Sequence, residues 1–105
     1  MKRNTSFRCS KLEHSRICSA ADSLNMTITE YILYCLDRNL PLKTIPYLNK
    51  NIDRTSHRIG LRIPESLTKK MNSNQKKLSS DIRKIRKAEI FIHCCLLECE
   101  KIETS

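Results

Sequence analysis

The apolar positions of this chain follow two periods, and the clearer one is helical. Ile28, Tyr31, Ile32, Cys35 and Leu36 recur at one- and two-turn spacing, a continuous stripe that predicts an amphipathic helix over 28–40. Thr27, followed three residues later by Glu30, marks its start as an N-cap pair. Asn25 suits the left-handed position that closes a preceding helix over about 11–24, with Ile17, Ala20, Ala21 and Leu24 on one face. Glu13 and His14 weaken the first turn of that helix, because they stand where apolar residues would help. Pro41 and Pro46 lack the backbone N–H that a continuing helix needs, so 41–53 reads as a connector. From Leu40 to Thr55 such a connector can span up to about 50 Å.

The second period is two. Ile59, Leu61 and Ile63 alternate with Arg58, Gly60 and Arg62, which predicts a half-buried strand over 58–63. Pro64 closes the strand and suits the first turn of a helix that carries Leu67, Met71 and Leu78. Ser79-Ser80-Asp81 can end that helix and cap a last one, over about 81–102. The last helix is apolar around much of its circumference from Ala88 to Leu97, the mark of a central helix.

The two halves resemble each other. Phe7-Arg8-Cys9-Ser10 lies over Leu61-Arg62-Ile63-Pro64 at an offset of 54 residues, and Thr29-Glu30-Tyr31 through Cys35 lies over Ala88-Glu89-Ile90 through Cys94 at 59. Each half therefore reads strand, helix, helix. A lone strand leaves its backbone groups unpaired, so the two strands, 4–9 and 58–63, are expected to pair antiparallel. Their apolar faces would press on four helices and their polar faces would lie outside.

Composition narrows the function classes. The chain has 105 residues, 20 Lys+Arg against 11 Asp+Glu and a net charge of +9. One glycine excludes a glycine-rich phosphate loop, and 5% aromatics without Trp argues against a sandwich or barrel. No apolar run follows the basic start Met1-Lys2-Arg3, and none approaches the roughly 20 residues of a membrane helix. A cytoplasmic protein without membrane contact is the expectation, with its six cysteines reduced and buried as small hydrophobes. Cys94, Cys95, Cys99 and His93 do not form the two ligand pairs of a structural zinc site. No Cys-His-acid set or carboxylate pair suggests catalysis, so neither enzyme, metal nor cofactor is expected.

At this point the order of elements resembles a known family. Leu61-Arg62-Ile63-Pro64-Glu65-Ser66-Leu67 and Asn25-Met26-Thr27-Ile28-Thr29-Glu30 resemble the motifs of the ribbon-helix-helix superfamily of DNA-binding proteins, the Arc and MetJ class. Ser10 departs from the helix-starting proline of the family, and the second half has a long basic turn. The resemblance implies a mainly α fold with a two-stranded antiparallel β-ribbon, a tandem pseudo-dimer. Its units would be 1–40 and 54–105, sharing one core across the connector. It further implies a bacterial-type or mobile-element protein that binds double-stranded DNA, as a repressor or as a plasmid conjugation (relaxosome) accessory factor. Further copies of itself or a relaxase-type protein would be its neighbours.

Carried over residue by residue, the resemblance makes Arg8, Arg62, Arg58, Asn4 and Ser6 the base-contacting side chains. It makes the helix start at Thr27 and Ile28 a clamp on the DNA backbone. An ordinary N-cap explains Thr27 equally well, and solvated charges on an exposed strand explain Arg58 and Arg62. Independently of the resemblance, Lys69, Lys70, Lys76, Lys77, Arg83, Lys84, Arg86 and Lys87 form a one-sided basic cluster suited to phosphates, opposed within it by Asp81. Phosphate contact is expected from Lys76, Lys77, Arg83, Lys84, Arg86 and Lys87. Two rival readings stand beside this one. Residues 11–40 can be a helix-turn-helix whose second helix enters the groove. The chain can also be a small inhibitor or antitoxin-like protein that binds an acidic protein partner.

Overall fold

A computed structural model describes residues 2–45, 52–79 and 84–104. Pro46, Ser80, Asp81 and Arg83 lie outside the described residues. The elements are β1 (Lys2–Cys9), α1 (Lys11–Ser23), α2 (Ile28–Asn39), β2 (His57–Pro64), α3 (Glu65–Leu78) and α4 (Lys87–Thr104). The protein is mainly helical, with a two-stranded antiparallel sheet.

β1 and β2 pair in a register that runs from Lys2 opposite Pro64 to Cys9 opposite His57. The predicted alternation holds: Phe7, Cys9, Ile59, Leu61 and Ile63 are buried, while Asn4, Ser6, Arg8, Arg58, Gly60 and Arg62 are exposed. A two-stranded ribbon is marginal alone and needs an apolar face to pack. Each buried Phe, Ile or Leu stabilises that packing by about 1.5–3 kcal/mol. A charged residue at Ile63, which is 3% exposed, would detach the ribbon.

α1 starts with a capping box. The Glu13 N–H donates to Ser10 Oγ at 3.1 Å, and the Ser10 N–H donates to Glu13 Oε1 at 2.9 Å. Glu13 is buried because Arg54 also reaches it, with Nε and Nη2 each 3.0 Å from a carboxylate oxygen. The sequence pattern marks Glu13 as a weak point in an apolar face, whereas the fold makes it the anchor of the helix start. Asn25 takes the left-handed conformation at φ 57°, and Met26 N–H closes back on the Ala21 carbonyl at 2.9 Å. Thr27 and Glu30 then form a second capping box and begin α2.

The last helix starts later than its pattern predicts. Residues 84–86 lie outside any helix, and α4 begins at Lys87 rather than near Asp81. Tertiary bonds explain the difference. Ile85 is buried with its N–H on Ser79 Oγ at 3.0 Å and its carbonyl on Gln75 Nε2 at 2.8 Å. Both of its backbone groups are thus spent on α3 and its C-cap, and a helix through 85 would have to give up those bonds. Glu89 then reaches back to the Arg86 N–H at 2.8 Å, as Glu30 does to Thr27 in the first half.

α4 packs against α1, α2, α3 and β1. Phe91 stacks on Phe7 with ring centroids 4.7 Å apart, and Tyr31 donates its O–H to the Cys95 carbonyl at 2.9 Å. Residues of both halves join one continuous apolar cluster. Among the described residues no helix is long and apolar enough to cross a membrane.

Candidate nucleic-acid interface

The exposed face of the ribbon brings together the five side chains singled out for base contact. In the register Asn4 faces Arg62, Ser6 faces Gly60 and Arg8 faces Arg58. Strand alternation alone aims these residues outward, because their neighbours are committed to the core. Arg62 Nε donates to Asn4 Oδ1 at 3.1 Å, and Arg58 Nε donates to Ser6 Oγ at 3.1 Å. Both guanidinium groups are held through Nε, which leaves their terminal nitrogens as an outward fork. Arg8 is held differently: its Nη1 donates to the Thr55 carbonyl at 3.4 Å, in the segment that leads into β2.

Among the described residues no carboxylate pairs with Arg8, Arg58 or Arg62. Above the ribbon lies an open trough of about 800 Å³ bordered by Asn4, Ser6, Arg58, Gly60, Arg62 and Thr29. Thr29 brings the start of α2 to this surface. The α2 cap uses the N–H groups of Thr27 and Glu30, so those of Ile28 and Thr29 remain as donors of the first turn. Thr27 is exposed and Ile28 half-buried. The Thr27 N–H and hydroxyl hold the Glu30 carboxyl below the ordinary range, so a negative charge also stands at this helix start.

The basic cluster is spread over several elements. Lys69, Lys70, Lys76 and Lys77 are exposed on α3, the last two in its final turn. Lys84 and Arg86 are exposed in the segment before α4. Lys87, at the α4 start, lines a smaller cavity of about 180 Å³ together with Asn4 and Thr5. Lys87 thus borders a cavity that the ribbon also lines, and no such shared border is described for Lys76, Lys77, Lys84 or Arg86. Thr29 and Thr55 are the residues that the sequence pattern passes over. The free amides of a capped helix start point to the first; nothing local points to the second.

The cysteines form no comparable site. Cys9, Cys35, Cys94, Cys95 and Cys99 are buried, Cys18 is half-buried, and all six are free thiols. Burial, with Glu13 nearby, pushes the Cys9 thiol up to about 11, and burial with Cys35 nearby pushes Cys94 up to about 12. A hydrogen bond with Cys35, reinforced by burial, raises Cys95, and burial raises Cys99. Burial thus favours the protonated thiol at these four positions. Among the described residues no group of three or more His, Cys, Asp or Glu side chains is arranged to hold a metal ion.

No protein-family model matches this chain, and no curated protein or solved structure matches it at significance.

Proposed function

We propose that this chain binds double-stranded DNA in a sequence-specific manner, as two ribbon-helix-helix units joined into one pseudo-dimer. The β1–β2 ribbon enters the major groove, and Arg8, Arg58, Arg62, Asn4 and Ser6 face the base edges. One observation carries this reading: three arginines and an asparagine stand exposed on one face of the two-stranded ribbon with no acidic partner among the described residues. A two-stranded ribbon fits the major groove, where guanidinium bonds bidentately to guanine and carboxamide to adenine. The first-turn amides of α2 and the exposed Lys87 at the α4 start suit phosphates. A role as repressor or as transfer-origin accessory factor follows from the family resemblance.

The helix-turn-helix alternative has less support. α2 spends Tyr31, Ile32, Cys35 and Leu36 on the core and exposes Glu30, Asp37 and Arg38, the last lying 3.5 Å from Glu98 and over the Tyr34 ring. The one exposed cation of that helix is thus engaged within the fold, whereas the ribbon arginines have no acidic partner among the described residues.

The test is duplex binding over a salt series, followed by selection of bound sites from a random duplex library. Binding is expected to weaken linearly in log salt. Arg62→Ala should cost about 1–3 kcal/mol on the selected site and relax base preference at one position. Negligible binding at low salt would favour an acidic protein partner instead. Unchanged site preference in Arg62→Ala would remove the ribbon from the base-reading role.

A further inference from the structure

The register of the ribbon holds information beyond a shared basic ridge. Under the 54-residue offset between the halves, Ser6 is the equivalent of Gly60, and these two residues face each other across the strands. The register is therefore centred on the Ser6–Gly60 pair, and the 54-residue offset exchanges the two strands about it. About that pair Arg8 corresponds to Arg62, and Asn4 corresponds to Arg58. Arginine stands at both members of the first pair, while the second pair holds an asparagine and an arginine.

Because the strands are antiparallel, the mismatch separates the two ends of the ribbon. Arg8 and Arg58 stand opposite each other at one end, and Asn4 and Arg62 at the other. Their tethers keep the four side chains distinct. Arg58 is drawn toward the middle by Ser6 Oγ at 3.1 Å, while Arg8 is drawn to the Thr55 carbonyl at 3.4 Å, so the two forks diverge. Arg62 uses Nε on Asn4 Oδ1, and that oxygen keeps a second lone pair for an adenine amino group. The middle is low: Gly60 has no positive φ, and a Cβ there would meet only the Thr5 carbonyl oxygen at 4.0 Å. Neither backbone conformation nor packing demands that glycine.

We infer that the chain reads a directional, non-palindromic duplex site, an inference that rests on the ribbon reading proposed above. The Arg8/Arg58 half addresses two guanines. The Asn4/Arg62 half addresses one adenine and one guanine. Asn4 and Arg8 stand about 14 Å apart along the strand, the length of about four base-pair steps. Between the halves, Ser6 and Gly60 leave the central step weakly read. Such a site fixes the orientation of the bound chain, so any neighbour that it recruits sits on one defined side.

Two exposed substitutions can restore symmetry. Asn4→Arg gives both halves the Arg, small, Arg set, and Arg58→Asn gives both the Asn, small, Arg set. Sites are selected from a random duplex library with the original chain and each variant, after circular dichroism melts confirm that all three fold. The original chain should select a motif whose adenine position occurs in one half alone. It should favour that motif about tenfold or more over a duplex in which one half is an inverted copy of the other. Asn4→Arg should select matching halves without the adenine, and Arg58→Asn matching halves that both contain it. A palindromic motif for the original chain, or the same motif from all three, overturns the directional reading and leaves ribbon binding standing. No enriched duplex from any of three folded chains overturns the ribbon reading itself.

Discussion

Two sets of arginines divide this molecule. Away from the ribbon's outer face, Arg16 meets Glu103 at 3.1 Å, Arg38 lies 3.5 Å from Glu98, and Arg54 forks Glu13 with Nε and Nη2, while Arg86, exposed before α4, has no ion pair among the described residues. On the outer face, Arg8, Arg58 and Arg62 meet a carbonyl, a hydroxyl and an amide oxygen. Like charges directly opposite on a strand pair destabilise the sheet, and the fold nonetheless sets Arg8 against Arg58. With 20 basic and 11 acidic residues, the chain has acids available for some of its cations, and among the described residues none goes to this face. Arginines that strain the ribbon and find no acidic partner are consistent with an anionic partner outside the chain, as the proposed function requires.

The comparison breaks most visibly in a pair of stability measurements. Arg54→Ala leaves Glu13 buried beneath the helix start without its charge partner, a change expected to cost about 3 kcal/mol. Arg58→Ala removes one of two opposed cations from an exposed position, and folding stability should stay within about 0.5 kcal/mol of the parent or rise slightly. Urea midpoints of the two variants separate these cases. Equal losses would mean that the ribbon arginines, like Arg54, serve the fold.

Acid sharpens the same contrast. Burial pushes the carboxyls of Glu13 and Glu98 up, but hydrogen bonds outweigh it. Arg54 and Ser10 hold Glu13 below its ordinary value of 4.5, and Lys101 and Asn39, with the charge of Arg38, do the same for Glu98. A carboxyl with a lowered folded pKa contributes stability that is complete above the unfolded value. That stability disappears as pH falls from about 4.5 through the folded value. Urea midpoints should therefore drop below about pH 4.5, and Glu98→Gln should flatten part of the drop. Among the described residues no carboxylate pairs with Arg8, Arg58 or Arg62, so their alanine variants should reproduce the parent pH profile.

Much of this architecture is legible in the sequence because local periods and tertiary packing agree. Ile59, Leu61 and Ile63 alternate with residues that have no place in a core, and Thr27 with Glu30 states a helix start that the fold adopts unchanged. Glu13 is misread because its partner, Arg54, comes from the end of the connector, and no local pattern reveals so distant a pair. The α4 start is misread because the bonds that hold Ile85 out of the helix come from Ser79 and Gln75 on the preceding segment. The outward ridge is legible by alternation, whereas its tethers are not. Strand pairing brings Asn4 to Arg62 and Ser6 to Arg58, and both depend on residues more than fifty positions apart.

The smallest expected effect concerns Lys76 and Lys77, where the comparison between structural and outward-facing charge is least determined by geometry. Both occupy the last turn of α3, where cations also favour the negative end of the helix dipole by about 0.3–1 kcal/mol each. A role in DNA binding and a role in the helix therefore predict different readouts for Lys76→Gln combined with Lys77→Gln. As phosphate contacts, they would lower affinity for all duplexes by a similar factor and reduce the slope of log affinity against log salt by up to about 2. As helix-terminal charges, they would lower the urea midpoint slightly and leave that slope unchanged. The basic cluster read from the sequence expects the change in slope, with the selected motif intact, because phosphates carry position and not sequence. A variant that keeps its slope would confine the nucleic-acid surface to the ribbon and the helix starts beside it.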